Sequence, residues 1–238
     1  MIWTDLGIVL TTRKHGESAV IATFLTREHG RTSGLIRGGA GKKLSAHLQP
    51  GNLLRLEWRG RLEEHLGTIL IEPEESFSAN AMTNRDKLAN LNTLCAMAEA
   101  CLPERQPVEG IFGASLILLT MLDETRLWPE IYQKWELGLL NELGYGLDLS
   151  SCAATGQNGD LIYISPKTGR AVSRHAGEPF KNKLFPLPYH LLVDEVKPTK
   201  SDLLCVFEIT EHFLTRHVLA PVGKKIPMAR KRFIDRLK

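Results

Sequence analysis

The sequence predicts an α+β chain in which a small five-stranded barrel is followed by a helical domain carrying a β-hairpin insertion. Three observations carry that expectation. About seventy residues at the start break into short apolar or alternating runs separated by glycine and charge. From Asn84 the apolar residues recur at helical spacing instead, and between 150 and 180 the chain becomes polar and rich in turn residues. With 238 residues, 43% of them apolar and 24% charged, it can bury a real core as one large domain or two ordinary ones.

The five runs are 4–12 (TDLGIVLTT), 18–25 (SAVIATFL), 31–37 (RTSGLIR), 52–58 (NLLRLEW) and 63–71 (EEHLGTILI). An oligonucleotide-binding (OB) barrel is the obvious arrangement for such strands, although strand count alone suits an SH3-like barrel nearly as well. Interleaved with the runs are Arg13, Lys14, Arg27, Arg31, Arg37, Lys42, Lys43, Arg55, Arg59 and Arg61. Cations spread through a β module suit a polyanion, so these residues are the expected nucleic-acid contacts. Trp58 or Phe24 would stack on a base if exposed, but an aromatic in such a run belongs more often to the core.

GGAGKK at 38–43 lacks the Ser or Thr that a phosphate-binding loop places after its lysine, and its glycines sit at the wrong offset. A flexible basic hairpin draped over a nucleic-acid backbone is the favoured reading, with an ordinary glycine-rich turn as the alternative. Pro73 and the acids from Glu72 to Glu75 are expected to close the barrel.

Beyond Asn84, Leu88, Leu91, Leu94, Cys95 and Ala98 mark one helix that ends before Pro103. A very apolar run from Glu109 to Leu122 marks a second. A third follows Trp128 and Pro129, with Ile131, Trp135, Leu139, Leu140 and Leu143 on one side, and stops at Gly144. In the insertion, the strand Leu161 to Ile164 and the turn Pro166 to Gly169 fit a hairpin. Helical patterns return around Tyr189 to Val193 and Leu203 to Leu219.

The net charge of +3 hides a segregated distribution. Thirteen acids oppose five bases between residues 72 and 150, whereas both ends are basic. In PVGKKIPMARKRFIDRLK only Asp235 opposes the cations, and Phe233, Ile234 and Leu237 add an apolar edge. A basic groove beside apolar side chains suits an acidic, hydrophobic-tipped peptide, for which Arg216, Lys224, Arg230, Lys231 and Arg232 are the expected contacts. A solvated helix is the plainer alternative.

Little here supports catalysis. No G-x-S-x-G elbow or H-E-x-x-H pair occurs, and the neighbouring carboxylates suit a surface better than a matched acid and base. No catalytic residue or cofactor is therefore assigned, and a hydrolase or transferase on an unfamiliar scaffold is the rival reading. A zinc knuckle needs four soft or imidazole ligands, and the insertion offers Cys152 and His175. No run approaches the roughly 20 apolar residues of a bilayer span, and MIWTDLGIV lacks an export signal's basic and apolar regions, so a cytoplasmic protein without membrane contact is expected.

The opening GIVLTTRKHGESAVIATFLTREHGR, then GLIRGGAGKK and LQPGNLLRLEWRGR, resemble the N-terminal signature of the RecO family of bacterial recombination mediators. The likeness is carried above all by the T-x-E-H-G-[KR] turn and the later L-Q-P. ELGYGLDLSSCAATG resembles that family's central join, and LIYISPKTGRAVSRHAG a variant of its insertion. The resemblance implies an OB domain at 1–78 and a helical domain at 79–238 with a degenerate zinc-finger-like insertion at about 150–180. It implies binding of single- and double-stranded DNA and annealing of complementary strands. The implied partners are RecR, the acidic C-terminal tail of single-strand-binding protein and, indirectly, RecA, in a nucleoid-associated setting. Many members carry four zinc-binding cysteines. Here Cys152 matches the first, while Thr155, Ser173 and Ala176 occupy the other positions, so no metal is expected. A sequence-independent nucleic-acid-binding scaffold without mediator activity is the alternative.

Overall fold

The computed structural model describes residues 1–62 and 64–238; the last expected strand begins on Glu63, which lies outside the described residues. Five strands form, namely β1 (Ile2–His15), β2 (Ala19–Thr26), β3 (Arg31–Ile36), β4 (Leu53–Arg59) and β5 (Thr68–Glu75). They close into a barrel in the order β1-β2-β3-β5-β4. Neighbours are antiparallel except for a short parallel contact of β3 with β5, and the barrel is of the OB type.

Alternation explains which side chains fill it. Leu54, Leu56 and Trp58 of β4 point inward with Ile36 and Ile69, while Arg55 and Arg59 point out. Helix α1 (Lys42–His47) joins β3 to β4 and, with the residue that follows, seats Leu44 and Leu48 against the barrel core.

The expectation for GGAGKK is therefore corrected. Gly38 makes a left-handed turn (φ 70°), and Lys42 and Lys43 open α1 in place of a hairpin. The reason is apolar: Leu44 and Leu48, four residues apart, share one helix face and find the core, whereas a hairpin would leave them in water. A second correction concerns the end of the last strand, expected at residue 71: β5 runs on through Glu72 to Glu75, where the barrel closes. Leu54 pairs with Pro73 beside a register shift. Past Thr68, β5 has β4 alone as a ladder partner, so a proline fits there.

The short α2 (Phe77–Ala81) precedes α3 (Arg85–Cys101) and α4 (Glu109–Thr120). Asn84 caps α3 by accepting hydrogen bonds from the N–H groups of Asp86 and Lys87, a contribution of about 1 kcal/mol. Leu91, Leu94, Cys95 and Ala98 follow at i, i+3, i+4 and i+7 and are all buried. That stripe lies against β1 and β2, which is why β2 is buried along nearly its whole length instead of alternating.

By compactness the chain forms two units: Met1–Trp128 with Pro227–Phe233, and Pro129–Ile226 with Ile234–Lys238. The second contains most of α5 (Trp128–Glu142), then β6 (Leu161–Ile164) and β7 (Ala171–Ser173) as the expected hairpin. After α6 (Arg174–Gly177), β8 (Phe185–Pro186) adds a third strand in the order β7-β6-β8. Helix α7 (Lys200–Phe213) starts with a capping box of Thr199 and Asp202 and runs on as a π-helix over Leu214–Leu219. In the first unit, the early part of α8 (Met228–Leu237) buries Phe233, whose ring meets Trp128 edge-on at 5.3 Å.

Candidate nucleic-acid interface

The turn TREHGR between β2 and β3 is held at almost every residue. Thr26 Oγ1 donates to Gly30 O (2.8 Å) and accepts from His29 N–H (3.1 Å). The buried Asp5 carboxylate accepts from Glu28 N–H (2.8 Å) and from His29 Nδ1 (3.0 Å). A carboxylate only accepts, so the His29 proton sits on Nδ1. Gly30 has φ 64°, and a Cβ there would lie 2.2 Å from the carbonyl oxygen of Gln106. Arg31 Nε donates to Leu102 O (2.8 Å), and its Nη1 meets Glu104 (3.3 Å). The turn thus clips the segment after α3 onto the barrel.

Arg31 was expected to contact nucleic acid, and the structure instead places it in this clip with its side chain 11% exposed. The other candidates divide. Arg55 pairs with Glu74 at 3.3 Å, and Arg59 pairs with Glu57. Arg27 lies over the Phe112 ring, 5.5 Å from its centre. Arg13, Lys14, Arg37, Lys42, Lys43 and Arg61 are exposed and form no ion pair among the described residues.

Register explains how the first five of these meet. Lys14 pairs with Val20, Val20 with Ile36, and Arg37 follows directly. Lys42 and Lys43 come next on α1, after Ala40 N–H has bonded Ser18 O in the β1–β2 turn (3.0 Å). Five cations therefore gather at one end of the barrel, where exposed like charges suit a phosphate backbone.

At the other end of β1 lies a group the sequence reading missed. Trp3 stacks on His29 with ring centres 3.9 Å apart and planes 9° apart, and is parallel within 6° to Trp58 at 5.6 Å. A cavity of about 190 Å³ is lined by Trp3, Glu28, His29, Thr32, Trp58 and Arg105. The expected stackers Trp58 and Phe24 are both in the barrel core, at 1% and 0% exposure. The one available signal was a tryptophan beside the open start of β1.

The C-terminal candidates divide between the two units. Arg216 is exposed on the π-helix and Lys224 lies beyond it, both in the second unit. In the first unit, Lys231 and Arg232 are exposed, whereas Arg230 is fully buried. Arg230 and Phe233 share one face of α8, which faces inward, so Arg230 is an interior residue instead of a surface contact.

In the insertion, Cys152 is closed off from solvent, and Ser173 N–H donates to its sulfur at 3.3 Å. Burial works against its ionisation, but hydrogen bonds from the Ser173 and Thr155 side chains and from the Ser173 and Ala154 backbone outweigh that and bring the thiol down to about 6. Two of the three residues at the other ligand positions thus serve this sulfur directly. One thiolate with hydroxyl neighbours does not fit a tetrahedral zinc site. Cys95 is the opposite case, a thiol pushed up to about 12 by burial.

A further cavity of about 590 Å³ lies between α1 and the β5–α2 segment, with Ala46, Leu54, Ala79 and Met82 in its wall. Its serines serve structure: Ser76 Oγ and Ser78 N–H both donate to Asn52 Oδ1. They do not form a nucleophile and base pair. No helix among the described residues is long and apolar enough to cross a membrane.

The family described as Recombination protein O N terminal matches residues 1–77, and Recombination protein O C terminal matches 82–226. The DNA repair protein RecO of Rhodospirillum rubrum is 45% identical over 242 residues, covering 99% of this chain and 96% of that one. That of Ruegeria sp. (strain TM1040) is 46% identical, covering 100% and 98%, and that of Caulobacter vibrioides 40%, covering 100% and 98%.

Proposed function

The chain belongs to the RecO family of DNA repair proteins, and from that premise we propose that it binds single- and double-stranded DNA, anneals complementary strands and helps load recombinase onto DNA coated with single-strand-binding protein. The observation that carries the DNA-binding step is the cluster of Arg13, Lys14, Arg37, Lys42 and Lys43, exposed at one barrel end without acidic partners among the described residues. Each phosphate neutralised there releases counterions, and two strands held against one positive surface repel each other less. Base pairing then supplies the specificity, with no covalent step.

In this reading residues 1–78 are the DNA-binding domain and 79–238 the helical domain that meets proteins. Arg27, Arg55, Arg59 and Arg61 extend the phosphate track, the paired ones by exchanging a carboxylate for a phosphate. For the acidic tail of single-strand-binding protein, Arg216 and Lys224 offer cations in the second unit, where Val222 is exposed, and Lys231 and Arg232 offer them in the first, where Met228 is exposed. RecR is a further partner, and RecA is served indirectly.

The test is annealing of complementary labelled oligonucleotides precoated with cognate single-strand-binding protein, intact or lacking its C-terminal tail. Fast annealing that depends on the tail supports mediator action. Tight DNA binding without acceleration favours a sequence-independent scaffold.

A further inference from the structure

We propose that the cavity between Trp3, His29 and Arg105 is a receptor for one unpaired nucleobase of the bound strand; this rests on the DNA-binding reading above and names the part of DNA that enters.

The argument begins with shape. Trp3, His29 and Trp58 are stacked on one another beside a cavity of about 190 Å³ whose wall they share. That is smaller than the roughly 300 Å³ at which pockets for drug-sized ligands begin, so it suits one planar group and excludes a whole nucleotide. Charge then separates base from phosphate. Glu28 stands in the wall, and the Asp5 carboxylate lies behind His29, two anions against the one cation of Arg105, so the site favours a neutral base over a phosphate.

The polar edges are mixed. Arg105 brings guanidinium donors, Glu28 an acceptor and Thr32 a hydroxyl, a set that can serve any base edge and fits sequence-tolerant binding. Arg105 is also held in place: its φ is 55°, its N–H bonds Arg31 O at 3.0 Å, and its Nη2 bonds His65 O at 3.2 Å. A non-glycine residue kept in the left-handed region needs surroundings that over-determine it, and such residues collect at working sites.

Position completes the case. Trp3 and Lys14 stand near opposite ends of β1, at most about 36 Å apart over roughly eleven residues of extended chain. A single strand of the length that OB folds engage, about 4–16 nucleotides, spans that interval, with phosphates at the cationic end and a base in the cavity at the other.

Tryptophan emission reads the site directly. Of the four tryptophans, Trp58, Trp128 and Trp135 are at most 2% exposed, which leaves Trp3 as the partly open one. The full-length protein is titrated at low salt with oligo(dT) of about 16 nucleotides and with an abasic strand of equal length, following emission and strand anisotropy together. The expected result is quenching by oligo(dT) and none by the abasic strand, although anisotropy shows both bound. Trp3→Phe removes the quench, and His29→Ala or Arg105→Ala weakens oligo(dT) by about tenfold while leaving the abasic strand unchanged. Arg105→Ala keeps the ring stack intact, so it tests the site even where His29→Ala disturbs the turn. Equal quenching by both strands, quenching that survives Trp3→Phe, or equal losses for both strands in Arg105→Ala would overturn the proposal and leave phosphate binding standing. If neither strand binds, the DNA-binding reading falls and takes this one with it.

Discussion

Two neighbouring stretches of the barrel, Thr26–Arg31 and Arg37–Lys43, look alike as sequence and differ as structure. Both are short, glycine-containing and basic. In the first, the threonine, histidine, glycine and arginine each have a defined partner or close approach, and Arg31 is bound to Leu102 and Glu104. In the second, Arg37, Lys42 and Lys43 stand in solvent and form no ion pair among the described residues. The difference teaches that an arginine's work is decided by whether its charge is already spoken for within the fold. Three cations left open cost a little self-repulsion and keep a field available to a polyanion.

That contrast can be broken most severely at Gly30. Gly30→Ala places a Cβ on a left-handed backbone against Gln106, and unfolding should become about 3 kcal/mol easier, measured by denaturant titration. Next comes the triple change Arg37→Glu, Lys42→Glu and Lys43→Glu. It should leave the melting temperature nearly unchanged, lower oligonucleotide affinity by about a hundredfold at low salt and flatten the log–log salt slope by about three. A stable triple variant with an unaltered slope would remove these residues from the interface. Arg31→Ala should do the reverse, costing about 2 kcal/mol of stability with little effect on the salt slope.

The smallest effect sharpens the same distinction in the insertion, where Cys152 is also committed to local partners. Its thiol sits near 6 in the fold against an ordinary value of 9, so folding favours the thiolate. The resulting stabilisation is complete above pH 9 and is lost as pH falls through 6. The difference in melting temperature between the native protein and Cys152→Ala should therefore widen from pH 6 to pH 9. A difference that does not vary with pH would mean that the sulfur acts by packing alone.

Much of the fold was legible because local rules and tertiary packing agreed. Asn84, the i, i+3, i+4 stripe of α3 and Pro103 each marked a feature that the structure contains. The strand Leu161–Ile164 formed as read. Elements governed by distant partners were harder. The helix after GGAGKK exists because Leu44 and Leu48 reach a core assembled by other strands, and β5 passes through Pro73 because β4 pairs with it on one side. β8 is two residues long, one of them proline, and carries no period to detect. For the interface, residue type was readable and partnership was not. Arg31 and Arg37 each stand next to a glycine in a basic stretch, and their separate roles depend on Leu102 and Glu104, some seventy residues away. Trp3, His29 and Arg105 come from three separate segments that only folding brings to one cavity.

The residence of the early part of α8 in the first unit bears on how the chain is made. Phe233 packs on Trp128, Ala229 O accepts from Thr93 Oγ1 at 3.3 Å, and Arg230 is fully interior, yet residues 129–226 are synthesised between these partners. At the usual pace of about 5–20 residues per second, the ribosome leaves the socket for Phe233 and Arg230 open for roughly 5–20 seconds. The barrel strands can pair early, but the surface around Thr93 and Trp128 waits on late translation. A messenger cut short before residue 227 would yield a protein with an intact barrel and a bare apolar socket beside it, the kind of exposed surface that chaperones and proteases recognise.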